Sequence, residues 1–152
     1  MDDRKKVHKL YLDGLCVKKG QVEQTAIGIY IPYYQNNSIE YCIPTGVGTH
    51  NQADYYAIIE ALEKCKEWYH DAYVRFHLDS ELIVNQMNEE WEVKDRTLYQ
   101  LWEKARKLKW SLHFRHKIKI SFSWIRKEEN EKARNLCYQA MKEYSKKPSR
   151  CG

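Results

Sequence analysis

Three aspartates fall at the junctions between predicted elements, where side chains are available to bind a ligand. Asp13 and Asp79 each end an apolar segment that predicts a strand, and Asp54 opens a predicted helix. Strand ends in an α/β sheet face the crevice where ligands bind. Each acid alone is also explained as a turn former or a helix cap. Three of them at three junctions of one sheet favour a common site for a hard cation such as Mg²⁺, which takes carboxylate oxygens and substrate phosphate.

The elements that must position these acids follow from the hydrophobic pattern. It predicts strands at 7–13, 25–33, 38–43, 73–78 and 117–125, and helices at 52–68, 82–87, 95–110 and 130–146. Pro32 and Pro44 end the second and third strands, and the step at 35–37 predicts a hairpin loop. The first three strands therefore predict an antiparallel meander. The order βββαβααβα predicts an α/β fold with one five-stranded mixed sheet and helices on its faces.

Composition limits the class of protein. The chain has 152 residues, of which 43% are hydrophobic, too many for a disordered chain and enough for one folded domain over 1–152. We expect its core at 7–146, followed by a short charged tail. No apolar run reaches the ~20 residues of a membrane span, and the N-terminus carries no signal-peptide pattern, which predicts a cytoplasmic protein without a membrane partner. The net charge of +5 favours a polyanionic partner.

The five cysteines are scattered and show neither a CxxC motif nor zinc-ligand spacing. This pattern predicts reduced thiols. The alternative is a disulfide between Cys65 and Cys151, if the tail folds back onto the end of a helix.

Four segments carry a resemblance to a known family. They are 11–16 (Tyr-Leu-Asp-Gly-Leu-Cys), 49–55 (Thr-His-Asn-Gln-Ala-Asp-Tyr), 78–88 and 124–136, and their order and spacing along 7–146 resemble the type 1 ribonuclease H family, including its archaeal and reverse-transcriptase-like branches. The resemblance implies a ribonuclease H-like fold. It also implies an endoribonuclease that cleaves the RNA strand of RNA–DNA hybrids with two Mg²⁺ or Mn²⁺ ions. We expect the hybrid to be bound by a monomer with no obligate protein partner.

The resemblance implies a metal-binding role for the three aspartates. Asp13 matches the first carboxylate of the family, which bridges both ions, and Asp79 matches the third. Asp54 stands where the family usually has glutamate. Together these three would hold the metal on the leaving-group side.

The position of the family's fourth carboxylate holds Arg134. Two divalent ions 4 Å apart repel strongly, so the loss of one carboxylate predicts weaker binding of the second ion. Glu131 or Asn135 could supply the missing oxygen, or Arg134 could bind the phosphate directly. Two functions remain open: a weakened nuclease, or a catalytically inactive module that binds the hybrid or RNA.

Four further residues are candidates for substrate contact. Gly14, Asn51 and Ser80 occupy positions that match contacts in the family, although Gly14 and Ser80 are also explained as turn residues. His50 lies beside Asp54 in the sequence and is a candidate substrate or proton-shuttle group.

Overall fold

The structure, a computed structural model, describes residues 6–145. Its strands are β1 (Val7–Lys19), β2 (Val22–Tyr34), β3 (Asn37–Val47), β4 (Ala72–Leu78) and β5 (Ile118–Trp124). Its helices are α1 (His50–Trp68), α2 (Glu81–Met87), α3 (Arg96–His116) and α4 (Glu131–Met141), and 3₁₀ turns at Lys127–Asn130 and Lys142–Ser145 flank α4. The predicted element order and the α/β class are confirmed.

The five strands form one mixed sheet in the order β3-β2-β1-β4-β5. The first three strands pair antiparallel, as predicted for a meander, whereas β4 and β5 run parallel to β1. The turn between β2 and β3 consists of Gln35 and Asn36, both with positive φ (50° and 66°). Two consecutive positive φ angles match the twist of a two-residue hairpin, so the predicted loop is confirmed.

Helices cover the two faces of the sheet unequally. Helices α1 and α3 pack against each other on one face, over the larger core, which includes Leu10, Leu12, Ile58, Leu62, Phe76 and Ile118. Helix α4 packs on the other face, against β1, β2 and β3. The end of the parallel pairing between β1 and β4, at Tyr11 and His77, therefore lies between α1 and α4.

The first strand is longer than predicted, with a consequence for Asp13. Strand β1 runs to Lys19, so Asp13 lies within it and not at its end. The pairing with β4 ends at Tyr11, whereas the pairing with β2 continues through Asp13 to Lys19. Asp13 therefore follows the end of the parallel pairing, which is the position that matters for a site at the sheet edge.

The prolines do not end their strands as predicted. Pro32 lies inside β2, and Pro44 lies inside β3 next to a register shift between Thr25 and Ala26. A proline is tolerated in an edge strand and at a bulge, because no ladder hydrogen bond is required of its nitrogen there. β3 is such an edge strand.

The chain returns to this edge after α4. The final helix is shorter than the predicted 130–146, because 3₁₀ turns replace its two ends. In the second 3₁₀ turn the Tyr144 hydroxyl accepts the N–H of Gly46 at 2.6 Å and lies 2.7 Å from the carbonyl oxygen of Thr25. Tyr144 thereby fastens the end of the described chain to the irregular stretch between β2 and β3.

Two predictions fall partly or wholly outside residues 6–145. Cys65 is a buried free thiol, and Cys151, its candidate partner, lies outside the described residues. The predicted charged tail lies there as well. Within residues 6–145, no helix is long and apolar enough to cross a membrane.

Gly28 permits close contact between β2 and α4. A Cβ atom at this position would lie 2.4 Å from the carbonyl oxygen of Ala133 and 2.7 Å from the Cβ of Leu136. Both neighbours belong to the body of α4, so a side chain at residue 28 would push the helix away from the sheet. Gly28 is also the residue paired with Asp13 across β1 and β2.

Replacing Gly28 by alanine is therefore expected to destabilise the protein by about 1–3 kcal/mol, the usual cost of overpacking. Urea unfolding followed by circular dichroism measures the change. Gly48→Ala is the matched control, because a Cβ there meets the side-chain ends of Gln52 and Tyr56 and no helix backbone, so we expect a smaller loss that comes from the Gln52 hydrogen bond in the helix cap. Equal stability losses in the two variants would contradict the predicted importance of the contact between β2 and α4.

Candidate functional site

Asp13 lies on the face of β1 that carries α4. Side chains alternate along the strand, so the buried Leu12 and Gly14 face α1 while Tyr11 and Asp13 face the opposite side. The Sγ of Cys137 in α4 lies 3.2 Å from the Asp13 carbonyl oxygen. Asp13 is thus buried between the sheet and the start of α4.

Gly14 brings α1 into direct contact with β1. A Cβ atom at Gly14 would lie 2.3–2.5 Å from backbone atoms of Ala53 and Asp54, so only glycine fits without displacing the helix. The helix begins at a capping box, in which Thr49 and Gln52 satisfy each other's backbone N–H groups. This start places Asp54 one turn into α1, against the strand.

The Gly14 amide joins two of the predicted acids. Its N–H lies 3.0 Å from Oδ1 of Asp13 and 3.0 Å from Oδ1 of Asp54. A single donor thus lies between two carboxylates from residues 41 positions apart in the chain.

Asp79 follows directly after β4 and is fixed by Asn130. The Asn130 side-chain nitrogen donates to the Leu12 carbonyl oxygen at 2.8 Å and to Oδ2 of Asp79 at 3.1 Å. Asn130 is buried and ends the 3₁₀ turn before α4. It therefore connects the third acid to the strand that carries the first.

Arg134 extends from α4 to two of the acids. Its Nε lies 3.9 Å from Oδ2 of Asp13, and its Nη2 lies 3.8 Å from Oδ2 of Asp79. The same Nη2 donates to the carbonyl oxygen of Lys127 at 2.8 Å. Arg134 thus places a guanidinium group beside the acids.

The acids affect each other's protonation. Burial raises the pKa of the Asp13 carboxyl to about 7, and the Asp79 charge adds to the rise, whereas the Gly14 N–H and the charges of Arg134 and Lys127 oppose it. Burial raises the pKa of Asp54 well above its usual range, and the charges of Asp13 and Asp79 raise it further. Nearby cations only partly compensate for the buried negative charge.

The donor chemistry suits a divalent cation, but the present arrangement is not a formed metal site. Oδ2 of Asp54 is buried without a hydrogen-bond partner, and Nε2 of His50 lies 4.0 Å from it. In residues 6–145 no group of three or more His, Cys, Asp or Glu side chains is arranged so that it could hold a metal ion. Arg134 instead contacts two of the three predicted ligands.

The remaining residues predicted for substrate contact or catalysis lie around the acids, and none of them forms part of the cluster. His50 is the first residue of α1 and its side chain is 59% exposed, so it borders the site from the solvent side. Asn51 is half-buried beside it. Ser80 caps α2 by accepting the Ile83 N–H at 3.3 Å. Glu131 and Asn135 are exposed on α4, and within the described chain no hydrogen bond or ion pair joins either to the acids.

Sequence reasoning did not identify the structural roles of Asn130, Gly28 and Cys137. Asn130 and Cys137 link the acids to α4, and Gly28 lets α4 approach the sheet. No local sequence pattern indicates that Gly28 lies opposite Asp13, because this pairing depends on the register between β1 and β2. Asn130 stands out only by its position directly before the last helix.

Comparisons with known proteins place this geometry in a family. Residues 17–140 match the family model described as "Reverse transcriptase-like". LC11-RNase H1, isolated from compost by a metagenomic approach, is 30% identical, with 91% of this chain and 97% of that chain covered and a TM-score of 0.78. The structure of LC11-RNase H1 in complex with an RNA/DNA hybrid gives 29% identity, coverage of 91% and 99%, and a TM-score of 0.78.

An archaeal structure gives the same result. RNase H1 from the halophilic archaeon Halobacterium salinarum is 25% identical, with 91% of this chain and 99% of that chain covered and a TM-score of 0.75. The family model spans most of the chain, and these proteins are matched over nearly their whole length. The chain therefore belongs to the type 1 ribonuclease H family, in its reverse transcriptase-like branch.

Proposed function

We propose that this protein is an endoribonuclease that cleaves the RNA strand of RNA–DNA hybrids by metal-dependent hydrolysis. The observation that carries the proposal is the convergence of three acids from β1, α1 and the end of β4, joined by the Gly14 N–H and by Arg134. The complex of LC11-RNase H1 with an RNA/DNA hybrid supports the choice of substrate.

Asp13, Asp54 and Asp79 would hold the cation, Mg²⁺ or Mn²⁺. When bound, such an ion activates a water molecule and stabilises charge on the scissile phosphate, and a second ion adds to both effects. The unpartnered Oδ2 of Asp54 and the raised pKa values of Asp13 and Asp54 favour cation binding, because a cation would neutralise carboxylates that the protein leaves undercompensated. With three acids, we expect the second ion to bind more weakly than the first.

In this proposal, some groups of the protein hold the three acids in place and others contact the substrate. The Gly14 N–H holds the carboxylates of Asp13 and Asp54 in place, and Asn130 does the same for Asp79. His50, exposed beside Asp54, contacts the substrate from the solvent side. The guanidinium of Arg134 can bind a phosphate oxygen, since its planar fork of N–H donors suits that geometry.

A second candidate function is a module that binds the hybrid or RNA without cleaving it. The observation that favours it is the position of Arg134, within 4 Å of two of the three predicted metal ligands. A fixed cation there competes with a metal ion for the same oxygens. The two candidates differ in whether a metal ion displaces this contact.

Cleavage of a labelled RNA–DNA hybrid tests the leading proposal. We expect cleavage with Mg²⁺ or Mn²⁺ and none in EDTA. Asp13→Asn is expected to reduce the rate by about 10³-fold, because metal-ion stabilisation of the transition state amounts to several kcal/mol. If purified, folded protein leaves the hybrid intact at every metal concentration, the nuclease proposal is wrong and the binding module is favoured.

Arg134→Asp tests the competition between the guanidinium and the metal ion. The substitution removes a positive charge and supplies a carboxylate, so we expect the Mn²⁺ concentration for half-maximal cleavage to fall about tenfold or more, in line with charge interactions of several kcal/mol at 4 Å. Arg126→Asp is the control, because this exposed arginine pairs with Glu129 and not with the acids. Equal effects of the two substitutions would show that Arg134 does not compete with the metal ion.

The raised pKa of Asp13 predicts a pH dependence of stability without metal. The folded state binds this proton more tightly than the unfolded state, so the contribution of Asp13 to stability is fully present below about pH 4 and is lost as the pH rises to about 7. A rise in pKa of this size corresponds to about 4 kcal/mol in the free energy of unfolding. Urea unfolding in EDTA should show a smaller loss between these pH values for Asp13→Asn, whereas the helix-capping control Asp95→Asn should follow the natural chain. Parallel pH profiles for both variants would contradict the assignment.

A further inference from the structure

The sheet has a face that its helices leave largely uncovered. Helix α4 packs on β1, β2 and β3, so within residues 6–145 the same side of β4 and β5 has no covering helix. The strand register brings one row of side chains from each strand onto it. We call this surface the open sheet face; it consists of Lys9, Tyr11, Tyr73, Arg75 and Lys119, together with His77, which is buried among them.

Aromatic rings run across the open sheet face. The Tyr11 ring stacks on the His77 ring with a centroid distance of 4.9 Å, and on its other side it lies 6.2 Å from the ring of Tyr30. The amino group of Lys119 lies 5.8 Å from the centre of the Tyr73 ring. Aromatic rings combined with cations on a sheet are typical of surfaces that stack the bases of single-stranded nucleic acids.

The charge of the open sheet face complements a polyanion. Lys9, Arg75 and Lys119 form no ion pair with any carboxylate in residues 6–145. At the border of this surface, by contrast, Lys132 pairs with Glu40 at 2.8 Å, and Glu129 pairs with Arg126 at 3.7 Å. The cations in the centre are therefore available to phosphate groups.

The open sheet face is continuous with the acids at one end. Tyr11 precedes Asp13 by two residues on the same face of β1, a distance of about 7 Å, and His77 precedes Asp79 in the same way. A strand held at the acids can thus extend over the Tyr11 ring, which stacks on the buried ring of His77.

At the other end the surface opens into a cleft. Pairing between β1 and β2 stops at Tyr11 and Tyr30, and the two strands separate around a cavity of about 740 Å³. Lys6, Tyr33 and Tyr69 are among the residues that line it. The Tyr33 side chain is 82% exposed, and the Tyr69 hydroxyl is buried without a hydrogen-bond partner. The cleft offers both an exposed ring for stacking and an unused polar group.

We propose that the open sheet face and its cleft bind a single-stranded nucleic acid segment that continues from the strand held at the acids. That the segment continues from a strand held at the acids rests on the proposed function. That the surface binds a single strand does not depend on it. The protein would then favour substrates in which a single-stranded extension adjoins the hybrid.

Binding of a fluorescein-labelled single-stranded RNA of about 12 nucleotides, measured by anisotropy in EDTA, tests the proposal without cleavage. Lys9→Gln combined with Lys119→Gln should weaken binding about 25-fold at 0.1 M salt, because each phosphate contact on a single strand contributes a factor of about 5. The slope of log affinity against log salt should fall by about 1.4. Tyr33→Ala should weaken binding about fivefold or more through lost stacking.

The matched control is Lys66→Gln combined with Lys107→Gln, two exposed lysines on α1 and α3, across the sheet. Equal weakening by both pairs would overturn the proposal, since it would show that only net charge matters. Competition by polyglutamate as effective as by unlabelled RNA would assign the surface to an acidic protein and also overturn it. If the RNA binds as predicted while the hybrid is never cleaved, the surface proposal stands and the nuclease proposal fails.

Discussion

The close approach of α1 to β1 at Gly14 is the constraint on which the site depends. The backbone of Ala53 and Asp54 occupies the space that any side chain at residue 14 would need. This contact brings Asp54 to the Gly14 N–H that Asp13 also uses. Gly28 plays the same part for α4 on the opposite face, where Asn130 and Arg134 enter. Two glycines on neighbouring strands thus allow α1 and α4 to pack close to the sheet, so that polar side chains from both helices lie near Asp13.

The contact of Arg134 with the acids has opposite effects on the stability of the protein and on its proposed function. The carboxylates of Asp13 and Asp54 are buried close together and near Asp79, and burial disfavours the charged forms of Asp13 and Asp54. Arg134 relieves part of this repulsion in the metal-free protein, because it lies near both Asp13 and Asp79. Under the proposed function, the same contact would lower the gain from binding a cation. Arg134 would then stabilise the free protein and weaken metal binding, a balance typical of functional sites.

Local patterns predicted most of the fold, and long-range pairing accounts for most of the errors. Periodicity identified all five strands and four helices, and the position of Asp79 at a strand end is correct. The end of β1 was misplaced because the charged Asp13 was taken to end the strand, whereas pairing with β2 continues to Lys19. The contact of Arg134 with Asp13 joins residues from opposite ends of the chain, so no local pattern could indicate it. The roles of individual site residues remain predictions.

The contacts between the last part of the chain and the first two strands can form only late in synthesis and folding. Asn130 bonds to Leu12, Cys137 contacts Asp13, and Tyr144 fastens the bulge near Thr25, all across more than a hundred residues of sequence. During synthesis, the first hairpins emerge long before the segment that covers them. Such contacts are associated with slow folding, since chain entropy is lost before they form. The face of the first three strands that α4 covers thus stays exposed until α4 has been synthesised. Exposed apolar surface promotes aggregation, so this is the stage of synthesis at which binding of a chaperone has the largest effect.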